Sequence, residues 1–90
     1  MTARVQFQLQ GVVEDGEYTI CGSIDALGSW NVDRGVKLIK CNGAYRTEPI
    51  DIPSECAFEY KYVQRGCDWE KGGNRKRIIA RDILCVSHST

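Results

Sequence analysis

The sequence predicts an all-β fold, and two patterns in it support that prediction. Apolar residues mostly alternate with polar ones, which is the period of a strand that buries one face and exposes the other. Clusters of glycine, proline, asparagine and serine separate the alternating segments at intervals of roughly ten residues, as turns do. Helical periodicity is confined to one possible turn around 23–27. About six to eight short strands are expected, in an antiparallel sandwich or a barrel.

Each predicted strand is a short β-forming run that ends at a turn. The first alternates Val5, Phe7 and Leu9 with polar residues, and 17-EYTICG-22 ends on glycine. Two further runs alternate around a charged residue: Val36 and Leu38 around Lys37, and Ile50 and Ile52 around Asp51 before Pro53. The turn clusters are Glu14-Asp15-Gly16, Gly28-Ser29-Trp30-Asn31, Asn42-Gly43, Pro53-Ser54-Glu55 and Gly72-Gly73-Asn74.

The clearest predicted strand is 56-CAFEYKYVQ-64. Three aromatic residues must share its core face, because the opposite face carries charges: Phe58, Tyr60 and Tyr62. Glu59, Lys61 and Val63 occupy that opposite face, so Lys61 points outward on a strand that leads into the turn around Trp69. One or two closing strands follow within 78–86, split near Arg81 and Asp82.

Length and composition indicate a single globular domain, which we assign to 1–90. Hydrophobic residues make up 42% and charged residues 27%, which is ordinary globular usage and argues against disorder. Twelve basic residues balance twelve acidic ones, so the net charge of zero gives no whole-protein attraction to nucleic acid or to an anionic membrane. No apolar run approaches the roughly 18 residues of a transmembrane helix, and the N-terminal segment lacks the apolar core of a signal peptide. We therefore expect no membrane partner.

The cysteines predict a reducing compartment. There are five of them, an odd number, and no C-x-x-C spacing, which excludes a zinc ribbon or a thioredoxin motif at the sequence level. Reduced thiols that pack as small apolar groups are expected here in preference to a disulfide framework. Together with the missing signal peptide, these thiols predict a cytoplasmic location.

The sequence contains no credible catalytic site. The single histidine, His88, lies close to the C-terminus, where chains are commonly poorly ordered, so we expect no Cys–His nucleophile pair. Carboxylates are scattered over turns and strand faces, and no glycine-rich phosphate loop precedes a helix. We predict no catalytic residues, no metal site and no cofactor.

The two tryptophans are the candidate binding residues. Trp30 in 27-LGSWN-31 and Trp69 in 68-DWEKGGN-74 both lie in polar turns. Each could close one end of the sandwich with its ring buried, or serve as an exposed aromatic platform beside hydrogen-bonding neighbours. Lys61 and Asn74 would then complete a small concave site with Trp69.

Four segments carry a resemblance to a known family. They are 22-GSIDALGSW-30 with the following Asn31, 36-VKL-38, 58-FEYKYV-63 and 69-WEKGGNR-75. In this order they resemble the family 20 carbohydrate-binding modules, the starch-binding domains, over about 4–86. The resemblance implies an immunoglobulin-like antiparallel β-sandwich of about seven or eight short strands. It also implies non-catalytic binding of α-1,4-glucans (starch, amylopectin, glycogen or cyclodextrins) by a monomeric module that belongs to a larger protein.

The resemblance further implies which residues bind the glucan. Trp30 and Trp69 would stack on sugar rings, and Lys61 and Asn74 would form hydrogen bonds with glucose hydroxyls. Glu70, beside the second tryptophan, would take part through its backbone or its side chain. The module would thereby target an attached enzyme or scaffold to the polysaccharide.

A second glucan site, common in the family, has one candidate residue here. Tyr45 stands where the family has a tryptophan, in a segment that departs from the family pattern. Near Asp15 the tyrosine typical of that second site is missing, and Tyr18 lies a few residues later. Packing on an edge strand would explain Tyr45 equally well.

Two other binding functions are possible. From Arg65 to Arg81 six basic residues outnumber two acidic ones, and with Trp69 this segment resembles a stacking and phosphate-binding surface for single-stranded nucleic acid. Basic residues along a strand are commonly its solvated face, however, so we expect 75-RKR-77 only to begin the next strand. An immunoglobulin-like protein-interaction module would instead cover Trp30 and Trp69 with an apolar partner.

Overall fold

Short strands build the described structure, a computed structural model that covers residues 2–11, 16–79 and 86–89. Within these ranges the chain forms strands and two 3-10 turns, over Asp25–Leu27 and Val32–Arg34, and no α-helix. No helix in them is long and apolar enough to cross a membrane. The strands are β1 Thr2–Val5, β2 Phe7–Gln10, β3 Tyr18–Gly22, β4 Val36–Lys37, β5 Ile39–Cys41, β6 Ala44–Arg46, β7 Ile50–Pro53, β8 Ala57–Gln64, β9 Asp68–Trp69, β10 Arg75–Ile78 and β11 Val86–Ser89.

Two sheets pack against one another, so the fold is a sandwich. One has the strand order β10-β8-β3-β4, with β9 also paired to β8, and the other has the order β11-β2-β6-β5. Strands β1 and β7 form a separate antiparallel pair. The pairs are antiparallel except for β11, which runs parallel to β2. The predicted all-β sandwich is confirmed, and so is a helical turn near 23–27, but the expectation that this would be the single helical turn is wrong, because a second 3-10 turn follows at Val32–Arg34.

The core lies between the sheets and is centred on β8. The predicted core face of that strand is confirmed, because Phe58, Tyr60 and Tyr62 are all at most 4% exposed. Phe7 of the opposite sheet meets Tyr60 edge to face, with 5.3 Å between ring centroids. Such aromatic pairs add about 0.5–1.5 kcal/mol to the burial of their surface. A long strand with aromatic residues at every second position therefore forms the base on which the outer elements rest.

More strands occur than the seven or eight expected, because two predicted strands are divided where the chain crosses between sheets and because two short strands, β6 and β9, were not predicted. At Gln6 the chain leaves the pair with β7 and enters the sheet beside β6 and β11. At Leu38 it leaves β3 and enters the pairing with β6. Each break is a single residue, and eleven short segments result in the described ranges. The predicted split near Arg81 and Asp82 lies outside those ranges.

The outer face of β3 is buried as well as its core face. Thr19 is 7% and Cys21 is 0% exposed, although both point away from the aromatic core, and Val63 beside them on β8 is also fully buried. The segment 23–35 covers this face; at Gly35 a Cβ would lie 2.7 Å from the Thr19 methyl carbon. Burial raises the pKa of the Cys21 thiol, against smaller opposing effects of the backbone at Gly22 and Trp30. The loop that carries Trp30 is therefore packed onto the sheet.

Candidate functional site

Trp30 stands at the end of a tightly wound loop that leaves β3. After the 3-10 turn, which the fully buried Leu27 anchors, three consecutive residues are left-handed: Gly28, Ser29 and Trp30 have φ of 88°, 49° and 64°. This conformation costs a non-glycine residue roughly 1–2 kcal/mol and persists only where the surroundings enforce it. The Trp30 N–H donates to the Gly22 carbonyl at 2.8 Å, which fixes the end of the loop on β3.

Local contacts enforce that conformation. The Ser29 hydroxyl donates to the Asp25 carboxylate at 2.7 Å, and the Asn31 side chain accepts a backbone N–H at 3.1 Å to cap the second 3-10 turn. At Gly28 a Cβ would lie 2.7 Å from the backbone of both Asn31 and Arg34. Only glycine permits the backbone to come this close, so the motif 27-LGSWN-31 holds the Trp30 indole in a fixed position.

Trp69 lies beside Trp30 but is held by a different element, strand β9. It lies on β9, which pairs with the end of β8 so that Trp69 is opposite Val63. The two indole centroids are 6.1 Å apart, the rings are inclined at 48°, and each tryptophan is 39% exposed. A ring buried at the end of the sandwich would not keep this exposure. The pair therefore forms one bent aromatic surface that is open to solvent.

Lys61 holds the turn that follows Trp69. Its ammonium donates to the carbonyl of Glu70 at 2.8 Å and to that of Gly72. An ammonium has three N–H donors, and two of them are engaged in this way. The predicted outward direction of Lys61 is confirmed, and the side chain joins β8 to the aromatic surface.

Glu70 is tied to its surroundings at every polar group. Its carboxylate accepts from Arg75 in a forked arrangement, with Nε–Oε1 at 3.0 Å and Nη2–Oε2 at 3.1 Å. The same carboxylate accepts the Tyr62 N–H at 3.1 Å, and the Glu70 N–H donates to the Tyr62 carbonyl at 3.0 Å. A forked ion pair that is half-buried is among the stronger polar contacts in proteins. Glu70 thus locks the residue next to Trp69 onto β8.

Asn74 follows the turn of Trp69 and contacts Glu59, nearer the start of strand β8. Its amide donates to the Glu59 carboxylate at 3.1 Å. The backbone of Glu59 in turn exchanges hydrogen bonds with Ser23, which donates its N–H to the Glu59 carbonyl at 2.8 Å and accepts the Glu59 N–H on Oγ at 3.0 Å. Ser23 begins the loop of Trp30, so this set of contacts links both tryptophan loops through β8.

Tyr45 lies away from the tryptophan pair, on β6 of the opposite sheet. It is only 5% exposed, its ring centroid is 4.7 Å from that of Tyr18, and its hydroxyl accepts the Gly16 N–H at 3.2 Å. Both tyrosines line a shallow depression together with Lys37 and Ile39. The structure brings Trp30, Lys61, Trp69, Glu70 and Asn74 into one region and leaves Tyr45 outside it.

Two residues near the site have roles that the sequence did not reveal. The expectation that 75-RKR-77 only begins a strand is wrong for Arg75, which begins β10 but also clamps Glu70 and contacts the His88 Nδ1 at 3.2 Å. The expectation that His88 lies in a poorly ordered tail is also wrong, because it is part of β11 and its Nε2 is 2.6 Å from the Tyr60 hydroxyl. In the sequence, only the opposite charges of Glu70 and Arg75, five positions apart, indicated the contact between them.

Comparison with known proteins places the chain in a family. The family model described as "Starch binding domain" matches residues 2–86. Glucoamylase-1 of Arthroderma benhamiae is 38% identical over 85 residues, covering 83% of this chain and 14% of its own. The mouse glycerophosphocholine phosphodiesterase GPCPD1 is 46% identical over 70 residues, covering 72% of this chain and 10% of its own. The chain thus spans well under a fifth of the length of these relatives.

A solved carbohydrate-binding module shares the fold of this chain. The crystal structure of the family 20 carbohydrate-binding module of the maltotetraose-forming amylase from Pseudomonas saccharophila superimposes with a TM-score of 0.74 at 22% identity. That alignment covers 98% of this chain and all of the other, and at this identity it shows the shared fold alone. The match of the family model over nearly the whole sequence decides membership. This chain belongs to the starch-binding domain family, the non-catalytic carbohydrate-binding modules of family 20.

Proposed function

We propose that this starch-binding module holds an α-1,4-glucan chain against Trp30 and Trp69. The observation that carries the proposal is the tryptophan pair itself, with centroids 6.1 Å apart, an inclination of 48° and 39% exposure at each residue. Large aromatic side chains rarely remain exposed in adjacent positions unless they bind something. Here the backbone of Trp30 is also held in a left-handed conformation, at a cost in stability.

The chemistry of a glucan suits this surface. The faces of a glucose ring are rich in C–H groups and apolar, whereas its edge is ringed with hydroxyls. Two indoles inclined at 48° fit successive rings of a curved α-1,4 chain, and a flat β-1,4 ribbon would contact only one of them. By analogy with bases on aromatic side chains, each stacked ring is worth about 1–3 kcal/mol. A dissociation constant between about 1 mM and 1 μM is expected.

The polar residues would orient the glucan more than they bind it. Lys61 and Asn74 would form hydrogen bonds with glucose hydroxyls, and each neutral hydrogen bond contributes only about 0.5–1.5 kcal/mol because water competes for the same hydroxyls. Glu70 acts chiefly through the backbone it fixes, since its carboxylate is engaged by Arg75 and Tyr62. Tyr45 remains a candidate for a second glucan site, and its burial requires it to act from the wall of the depression beside Tyr18.

The module would serve to target a larger protein to polysaccharide, because it spans only a small part of its relatives. We propose glycogen as well as starch as ligands, since both expose curved α-1,4 chains. We also propose that the module acts as a monomer and in the cytoplasm. The free thiols of Cys21, Cys41, Cys56 and Cys67 support a reducing location.

Titration with β-cyclodextrin, followed by tryptophan fluorescence and calorimetry, tests the site. We expect Trp30→Ala and Trp69→Ala each to weaken binding about 5- to 100-fold, which corresponds to the loss of one stacked ring. Ile78→Ala is a matched control, because Ile78 is 59% exposed and its truncation removes apolar surface elsewhere. Retention on amylose and glycogen columns extends the test to polymers.

The alternative functions give different results in the same assays. A double variant lacking both indoles that still binds β-cyclodextrin as the unchanged protein does would refute the tryptophan site. Absence of glucan binding, combined with steeply salt-dependent binding of an oligonucleotide, would support the nucleic-acid alternative. Loss of glucan binding together with self-association or capture of a protein through the tryptophan pair would support the protein-interaction alternative.

A further inference from the structure

A half-buried chain of polar side chains links the two sheets. It begins at His88 on β11, which belongs to the sheet of β2, and reaches Tyr60 and Arg75 in the sheet of β8. The His88 ring also packs edge to face on Tyr62, with 5.7 Å between centroids. His88 therefore joins the two sheets through polar contacts between side chains.

The contacts of His88 determine which of its nitrogens carries the proton. Arginine is a donor only, so the Nδ1 atom 3.2 Å from Arg75 must accept and is unprotonated. The ring proton therefore lies on Nε2, directed at the Tyr60 hydroxyl 2.6 Å away. A second proton could enter only at Nδ1, where it would face the guanidinium. Protonation of His88 would thus break its hydrogen bond with Arg75 and set two cations against each other.

Arg75 transmits the position of His88 to the glucan site. Its guanidinium contacts His88 through Nη1 and grips the Glu70 carboxylate through Nε and Nη2. Glu70 is joined to Tyr62 on β8 by a hydrogen bond in each direction, and its carbonyl accepts from Lys61. Trp69 is the residue before Glu70, so displacement of the guanidinium would free the Glu70 carboxylate and loosen one of the contacts that hold this indole on β8.

We propose that His88 is a positioning residue for the glucan site, which it supports through Arg75 and Glu70 only while its ring is neutral, so that acidification loosens Trp69 and weakens glucan binding. This inference rests on the proposed function. It makes glucan release sensitive to protons at a residue that does not itself touch the sugar. A histidine is suited to this role because its charge changes in the mildly acidic range.

The surroundings of His88 fix the direction of the effect. The ionisable groups that face it are Tyr60 and Tyr62 from β8, Arg75 and Arg77 from β10, and Glu70 from the turn after β9. Burial lowers the pKa of His88, both arginines lower it further, and Glu70 opposes them. The native arrangement is therefore fully favoured above the ordinary pKa of histidine and is lost as the pH falls through the depressed value.

Linkage gives a direct test on the unchanged protein. If protonation weakens glucan binding, then saturation with β-cyclodextrin must depress the pKa of His88 by the same free energy. The chain has one histidine, so its ring proton resonances in a pH titration by NMR need no assignment. A depression of about half a unit or more corresponds to at least roughly threefold weaker binding by the protonated form. An equal pKa with and without β-cyclodextrin would overturn the proposal.

A pair of variants gives the complementary test. His88→Asn keeps an oxygen acceptor where Nδ1 stands but does not titrate, so its affinity should not vary from about pH 7.5 to pH 5, whereas that of the unchanged protein should fall several-fold. His88→Phe keeps the ring without an acceptor and should bind weakly at every pH. Thermal unfolding at each pH separates weaker binding from loss of the fold. Equal pH slopes for the asparagine variant and the unchanged protein would refute the role of His88, while absence of β-cyclodextrin binding at pH 7.5 would instead refute the glucan site.

Discussion

Lys61 illustrates how one side chain supports the turn beside the tryptophan pair through contacts within the protein. Its ammonium spans the carbonyls of Glu70 and Gly72, and so closes the turn between β9 and β10 over the outer face of β8. Hydrogen bonds that involve a charged group contribute about 1.5–3 kcal/mol when sheltered, and less when solvent competes. Lys61 is half-buried, so it stabilises the turn in addition to any hydrogen bond with glucose.

Replacement of this lysine separates the two contributions. Lys61→Met keeps the length of the side chain and removes the donors, so we expect a loss of about 1–2 kcal/mol in the free energy of unfolding. Glucan affinity should fall about 3- to 10-fold, less than for either tryptophan, because both aromatic rings remain. Urea unfolding and β-cyclodextrin titration measure the two effects.

Lys71→Met is the control for this substitution, since Lys71 is an exposed lysine in the same turn. It should change neither stability nor affinity by more than a small amount. If both methionine variants behave alike, general charge near the site and not the contacts of Lys61 would be responsible.

Among the elements, the loop between β3 and β4 is the most constrained. Its run of left-handed residues ends at Trp30. Gly28 is its most restricted position, because its φ is 88° and a Cβ there would lie 2.7 Å from backbone atoms of the same loop. Backbone atoms cannot rotate away as a side chain can. The indole is therefore presented by a loop with little freedom, and a rigid platform loses little entropy when a sugar stacks on it.

Gly28→Ala should disturb both the loop and the site. A left-handed alanine costs about 1–2 kcal/mol, and relief of the backbone clash adds to that, so we expect destabilisation of about 2–4 kcal/mol with clearly weaker β-cyclodextrin binding. Gly43→Ala is the matched control, because Gly43 has φ of 80° but no atom within 4 Å of its would-be Cβ. It should cost about 1–2 kcal/mol and leave affinity unchanged. Equal losses of stability in the two variants would show that the close approach at Gly28 is unimportant.

Strands with strict alternation could be predicted from the sequence, and the places where the chain changes sheets could not. The face of β8 follows from the contrast between its aromatic and charged residues. Gln6 and Leu38 divide otherwise continuous runs, because the carbonyl of Gln6 accepts from β11 and the N–H of Leu38 donates to β3. Nothing in the local sequence announces these partners, since they come from strands far along the chain. Register between distant strands is a tertiary property.

The same division applies to the site. The sequence could name Trp30, Trp69, Lys61, Glu70 and Asn74 as candidates, because two tryptophans in polar turns, polar residues near them and the family resemblance favour sugar binding. Arg75 and His88 were not, because their meeting depends on the parallel pairing of β11 with β2 and on packing between the sheets. Solvated strand residues and buried network members can have the same sequence pattern.

At the scale of the whole molecule, both tryptophan loops pack on the sheet that contains β8. Strand β11 of the other sheet contacts the core side of that sheet through His88. The loop of Trp30 is tied to β8 through Ser23, and the turn of Trp69 is tied to it through Lys61 and Glu70. Strand β8 is therefore the common base of the site. Any change that shifts β8 relative to β11 should move both platforms, which is why the proposed effect of His88 extends to the ligand surface.

The charge balance of the molecule predicts how glucan binding depends on salt. The net charge is zero and a glucan is uncharged, so stacking and neutral hydrogen bonds leave little for ions to screen. We expect the dissociation constant for β-cyclodextrin to change less than about twofold between roughly 50 and 500 mM NaCl, as measured by calorimetry. Binding to nucleic acid through the basic residues of 65–81 would instead weaken steeply over that range, since each phosphate contact releases counterions. A tenfold or greater loss of β-cyclodextrin affinity over that range would contradict a site dominated by stacking. It would indicate that glucan binding requires an ion pair, and the half-buried pair of Glu70 and Arg75 would be the first to test.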